Sequence, residues 1–319
     1  MKAAVYYEPG SPSVLSYEDV ADPTPAAGEV LIRVQAISIE GGDVLRRSRM
    51  APPHTPYVVG YQAGGEVAAV GPGVSEFKVG DRVVGFNINQ GSHAELHVTP
   101  AAATYAVPDR LEMRKAAAMP VAFGTAHNCL FERGRLQTGE TVLVQGGASG
   151  VGVAAIQLAK RAGARVLVTA SSAEKLDRLH SLGVDEAINY AREDVVERVM
   201  ALTNGRGVDV VLDPVGGKVL EGSMRVLAPG GRISWVGSAG REPVVLDLAL
   251  LRGMNRSITA AFFEGMTPSG HAMVQRLIEE AARGELEVWI DKVFPLSEAA
   301  AAHTYIESRQ AVGRVIMEP

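Results

Sequence analysis

The nine residues Val144-Gln145-Gly146-Gly147-Ala148-Ser149-Gly150-Val151-Gly152 concentrate small side chains where chemistry needs close backbone approach. They follow the short apolar run Thr141-Val142-Leu143-Val144-Gln145 and lead into a helical pattern over 151–162. A helix that opens this way offers unpaired N–H groups and the positive end of its dipole to a phosphate. Small residues let a pyrophosphate come close, and the last glycine lets helix and strand pack. Ala148, Ser149, Gly150 and Val151 are the expected cofactor contacts, although Ser149 stands where many such turns carry glycine. The next apolar run, 165–170, ends Thr169-Ala170-Ser171-Ser172-Ala173-Glu174-Lys175. An acid at that strand end would hold a free ribose 2′-hydroxyl. None stands there, and Ser171, Ser172 and Lys175 suit a 2′-phosphate, which an acid would repel. The segment therefore predicts NADPH in preference to NADH. The bland alternative for Lys175 is a solvated residue in the first helical turn.

The elements that must position this turn are legible along the chain. The 319 residues suffice for two cores. The first third is β-rich: Val30-Leu31-Ile32-Arg33-Val34, Gly64 to Val70 and Asp81 to Gly85 are short apolar runs separated by Gly, Pro and Asp. It reads as a compact barrel-like β domain. From 114 the texture turns Ala-rich and helical, to about 133. Strands at 141–145, 165–170, 186–190, 208–213 and 231–237 then alternate with helices at 151–162, 194–202 and 219–227. Unbroken apolar strands alternating with helices predict a parallel sheet covered on both faces. A strand at 257–263, a helix at 270–283 and a tail with β character follow.

Composition narrows the function classes. Apolar residues make up 47% and charged residues 21%, the balance of a globular chain. The net charge of −5 gives no basic footprint for nucleic acid. No apolar run is long enough for a bilayer, and the start lacks a signal-peptide core, so a cytoplasmic protein is expected. The one cysteine, Cys129, excludes an intrachain disulfide and a cysteine-based zinc cluster.

As a set, the segments Met1-Lys2-Ala3-Ala4, Gly28 to Val34, Ala122-Phe123-Gly124-Thr125-Ala126, Gly205 to Asp213 and Leu227 to Arg232 resemble the medium-chain dehydrogenase/reductase superfamily. Within it the chain looks like the zinc-free NADPH:quinone oxidoreductase branch, which includes zeta-crystallin. The likeness spans essentially the whole chain. It implies an α/β fold: a Rossmann-type doubly wound parallel sheet domain plus a GroES-like β-barrel-type catalytic domain. The expected bounds are 1–119 and 264–319 for the catalytic domain and 120–263 for the NADPH-binding domain. It also implies a homodimer joined through the edge strand near 257–263.

Zinc-dependent relatives place a cysteine near position 40, a Gly-His-Glu motif at 60–62 and a second cysteine near 121. Here those positions read Glu40, Gly60-Tyr61-Gln62 and Val121. Tyrosine and valine do not build a tetrahedral zinc site, so no metal is expected. Without a Lewis acid, alcohol oxidation loses its activating device. A quinone or enone is an easier hydride acceptor, because its oxygen needs only a hydrogen-bond donor and a proton.

By resemblance, Thr125 faces the nicotinamide, and Asp43 matches the end of the branch's Asn-x-x-Asp motif, where Glu40 replaces the asparagine. Tyr190, Val215, Gly237, Ser238 and Arg309 match further cofactor contacts. Tyr61, at a former ligand position, is the candidate hydrogen-bond donor, or else fills the space the metal left. Glu40, Tyr57, Tyr61 and His93 are the candidate substrate contacts, with the loop 86–90 as a substrate wall. His127 is open between site and core. Two other functions remain. One is an enoyl-thioester reductase, with Arg46, Arg47 and Arg49 gripping a CoA or carrier arm. The other is an NADPH-binding protein without turnover.

Overall fold

The computed structural model describes residues 1–89, 91–240 and 242–319. The chain divides into two compact units, Met1–Gly124 with Glu264–Pro319, and Thr125–Phe263. The first break thus follows Gly124, later than the 119/120 boundary read from sequence.

The second unit is a six-stranded parallel sheet. Its strands are β1 (Thr141–Val144), β2 (Arg165–Ala170), β3 (Glu186–Asn189), β4 (Val208–Asp213), β5 (Leu227–Trp235) and β6 (Ser257–Ala260). They run in the spatial order β3-β2-β1-β4-β5-β6, the doubly wound dinucleotide-binding order. Leu143, Leu167, Val211 and Ile233 have no exposed surface, as strands covered on both faces require. Helices Gly150–Arg161, Ala173–Leu179, Val195–Leu202 and Gly217–Arg225 make the crossovers. The fifth strand begins four residues before the predicted 231, and the last ends at Ala260 rather than 263. The Ala-rich stretch is a short helix Met113–Ala117, a helix Met119–His127 and a π-helical segment Asn128–Arg133.

In the first unit, Glu29–Ser38 is the central strand. It pairs antiparallel with Gln62–Val70, with Leu96–Pro100 and with the C-terminal strand Arg314–Glu318. The tail folds as Ile290–Pro295, helix Ala299–Glu307 and Arg314–Glu318, the two strands parallel. Ile37, Ala63, Leu296 and Met317 form its core. The Ser38↔Ile316 register brings Arg314 to the start of helix Gly41–Arg49.

Candidate functional site

In the first unit, three of the positions where zinc relatives keep ligands are joined by hydrogen bonds. The Gln62 side-chain amide donates to Glu40 Oε1 at 3.1 Å and to the Ala117 carbonyl at 2.6 Å. Its oxygen accepts the Val121 N–H at 2.8 Å. Glu40 also accepts from Ser38 Oγ at 3.1 Å and from the Arg314 guanidinium. Arg314 in turn donates to the Ile39 carbonyl at 2.7 Å. Ser38, Glu40, Gln62 and Arg314 are all buried, so each charge or amide needs these partners. The carboxylate of Glu40, expected from sequence as a substrate contact, is bonded to Arg314 and Gln62. The sequence reading missed Ser38, Gln62 and Arg314. One signal was available: an arginine in the otherwise apolar strand Arg314-Val315-Ile316-Met317, facing a carboxylate that burial would oblige to find a cation.

Glu40 and Asp43 form a capping box at the start of helix Gly41–Arg49, with the Glu40 N–H donating to Asp43 Oδ2 at 2.8 Å. Asp43, expected from the resemblance as a cofactor contact, has no exposed surface. Burial pushes its carboxyl well above the usual range, with the neighbouring Glu40 adding to the rise.

Tyr61 lies over this helix start. A Cβ at Gly42 would come within 2.6 Å of the Tyr61 hydroxyl, so the tyrosine needs glycine there. Phe86 packs edge-on to the ring at 5.4 Å. The Tyr61 carbonyl accepts the Asn87 N–H at 2.8 Å. Burial, and then the Asp43 and Glu40 carboxyls, raise the Tyr61 hydroxyl well above 10. It therefore keeps its proton and has it to donate. Of the expected wall 86–90, Gln90 lies outside the described residues.

Two other candidates fall in the core. His93 has no exposed surface; its Nε2 lies 3.2 Å from His303 Nε2, and burial drives it well below 6.5. Tyr57 is 2% exposed and its hydroxyl accepts from Arg46 at 2.6 Å. Arg47, part of the proposed basic groove, is wholly buried and binds the Gly10 carbonyl at 2.5 Å and Glu307. Arg309 is exposed, in a left-handed turn with φ 58°.

In the second unit the glycine turn lies at the C-terminal end of β1. Ser149 caps helix Gly150–Arg161, its Oγ accepting the Gly152 N–H at 3.0 Å. A Cβ at Gly152 would stand 2.5 Å from the Gly147 carbonyl. Among the described residues, the N–H groups of Gly150 and Val151 have no acceptor in the protein. Such orphaned donors at a helix start fit a pyrophosphate. Ala148 is buried beside them. At the end of β2, Ser172 caps the next helix by accepting the Lys175 N–H at 3.3 Å. Its hydroxyl proton stays available, as does Ser171, half-buried, next to it. Tyr190, 45% exposed, follows β3. Val215, Gly237 and Ser238 occupy the loops after β4 and β5, where the Gly240 N–H donates to the Val215 carbonyl at 2.8 Å. Thr125 is 5% exposed on helix Met119–His127. His127, two residues on, is half-buried with its ring 4.8 Å from Phe131. Cys129 is buried, its thiol pushed up to about 12, which makes it inert.

A doubly wound sheet with this strand order and a phosphate-fitting turn on its first strand defines a dinucleotide-binding fold. Residues 26–109 match the alcohol dehydrogenase GroES-like domain, and residues 150–283 match the zinc-binding dehydrogenase model. A quinone oxidoreductase of Pseudomonas aeruginosa is 35% identical over 317 residues, 97% of each chain. A 2-haloacrylate reductase of a Burkholderia species is 33% identical over 331 residues, 99% of this chain and 98% of that one. The crystal structure of Escherichia coli quinone oxidoreductase complexed with NADPH has a TM-score of 0.94 at 29% identity, over all of both chains. The chain belongs to the medium-chain dehydrogenase/reductase superfamily, in its quinone oxidoreductase branch.

Proposed function

We propose that this chain is an NADPH-dependent, zinc-independent reductase of quinones or α,β-unsaturated carbonyls. The observation that carries this reading is the Gln62 side chain, which ties Glu40 to the backbone of Val121. Positions that hold a metal in zinc relatives here hold a satisfied hydrogen-bond cluster with a guanidinium as its cation. Among the described residues, no three His, Cys, Asp or Glu side chains come together to hold a metal ion.

The N–H groups of Gly150 and Val151 would hold the pyrophosphate, and Ser171, Ser172 and Lys175 the 2′-phosphate. NADPH bound there supplies a hydride. Tyr61 meets the charge that develops on the acceptor oxygen, donating a hydrogen bond from a hydroxyl that keeps its proton. Water supplies the proton that the reduced acceptor takes up, and Tyr61 keeps its own. Thr125 abuts the nicotinamide, and positioning accounts for the rest of the rate.

The enoyl-thioester reading keeps Arg46 and the exposed Arg49 but loses Arg47, which is buried and bound. NADPH oxidation with a quinone, an enone and an enoyl-CoA tests the assignment. Turnover with the quinone or the enone supports it, and turnover with the thioester alone overturns it.

We further propose a cytoplasmic homodimer. The strand β6 is the sheet edge, and Phe262 and Met254 beside it are 63% and 48% exposed. Unpaired apolar edges invite pairing. Among the described residues, no helix is long and apolar enough to cross a membrane. Light scattering checks the dimer, and a monomeric mass would contradict it.

A further inference from the structure

A chain of buried hydrogen bonds runs beneath the glycine turn. The Gly146 N–H donates to Thr169 Oγ1 at 3.0 Å, and Thr169 Oγ1 donates to Gln145 Oε1 at 2.8 Å. Gln145 Nε2 donates to Ser223 Oγ at 3.2 Å, which donates to Asp213 Oδ2 at 3.1 Å. Asp213 Oδ1 then accepts the N–H groups of Val215 at 2.8 Å and Gly216 at 2.9 Å. Every donor from Gly146 to Ser223 points toward the one carboxylate, so the bonds polarise one another. Burial pushes Asp213 up, and the two N–H groups and Ser223 oppose the rise.

The four side chains are 0–4% exposed and come from the ends of three adjacent strands and a helix. Apolar residues would pack such a core without the cost of desolvating polar groups. What the polar chain adds is its termini: both are backbone N–H groups of loops at the same edge of the sheet. One is in the glycine turn after β1, the other in the loop after β4. That second loop is bonded onward, since the Pro214 and Val215 carbonyls accept from Ala239 and Gly240 in the loop after β5.

We propose that Thr169, Gln145, Ser223 and Asp213 are positioning residues that hold the phosphate-facing turn in register with the loops carrying Val215, Gly237 and Ser238. The proposal rests on the NADPH reading above. A dinucleotide bridging both loops is bound well only if they are held together. A fragment that ends at the phosphates does not sense the register. None of the four touches the cofactor in this account.

The test is NADPH and 2′,5′-ADP binding by calorimetry, with urea midpoints measured on the same samples, for Thr169→Val, Ser223→Ala, their double variant and Thr169→Ser. Because both substitutions cut one chain, each should raise the NADPH dissociation constant about tenfold and the double variant little further. Thr169→Ser, which keeps the hydroxyl, should bind like the parent. Binding of 2′,5′-ADP should stay within about twofold in all of them. Three results overturn the proposal: NADPH affinities within about twofold of the parent, independent effects that multiply, or parallel loss of 2′,5′-ADP binding from a collapsed turn. A parent that binds no NADPH would instead overturn the cofactor reading itself, and that is seen before any variant is made.

Discussion

The carboxamide oxygen of Gln62 accepts the backbone N–H of Val121 at 2.8 Å. That bond joins the strand Gln62–Val70 to the helix Met119–His127, whose later residue Thr125 is the expected nicotinamide neighbour. With Glu40 and Arg314 it forms one buried cluster of an ion pair and amides, and the predictions follow from that cluster.

Glu40→Ala leaves the Arg314 guanidinium buried at 8% exposure without its carboxylate. Removing one partner of a buried pair costs about 3–5 kcal/mol. Glu40→Gln keeps an acceptor for Ser38 and Gln62 and should lose less. Urea denaturation checks the order; an unchanged Glu40→Ala midpoint would contradict the pairing.

Tyr61→Phe removes the hydroxyl but keeps the packing against Phe86. If Tyr61 serves the acceptor oxygen, kcat falls by about 10²-fold or more, with NADPH binding unchanged. Steady-state rates within about twofold of the parent would reduce Tyr61 to a filler of space.

How far the sequence carries differs between the two units. The alternation of strands and helices and the glycine turn of the second unit were readable, because apolar strands of period-free pattern and a Gly-rich turn are local signals. The first unit's site was not. Glu40 looked like a departure that exposed a carboxylate to substrate, yet its partner Arg314 lies 274 residues away in the chain. Periodicity cannot report a pairing of that range. The contact of His93 with His303, 210 residues on, was illegible for the same reason. Asp43 was read only as the end of a motif, and its capping of Glu40 belongs to a helix that the sequence reading did not place.

Lys175 sits in the first turn of the helix capped by Ser172. Lys175→Ala should raise the Michaelis constant for NADPH much more than that for NADH, because only NADPH carries the 2′-phosphate. Equal effects on both cofactors would remove Lys175 from the site.

His303 and His97 are held neutral by burial, at about 3 and about 4 against 6.5 for the free side chain. The unfolded chain therefore binds more protons than the folded one between 6.5 and those values. Their contribution is complete above 6.5 and is lost as pH falls, at about 1.4 kcal/mol per pH unit for each ring. Urea midpoints from pH 7 to 5 should decline less steeply in His303→Leu than in the parent. Equal slopes would contradict a neutral, buried His303.

The most direct test of metal-free hydride transfer is NADPH oxidation with a quinone and an enone, using protein dialysed against EDTA and assayed with and without added zinc. The account predicts full turnover after chelation and no gain from zinc. Activity lost to EDTA and restored by zinc would contradict it.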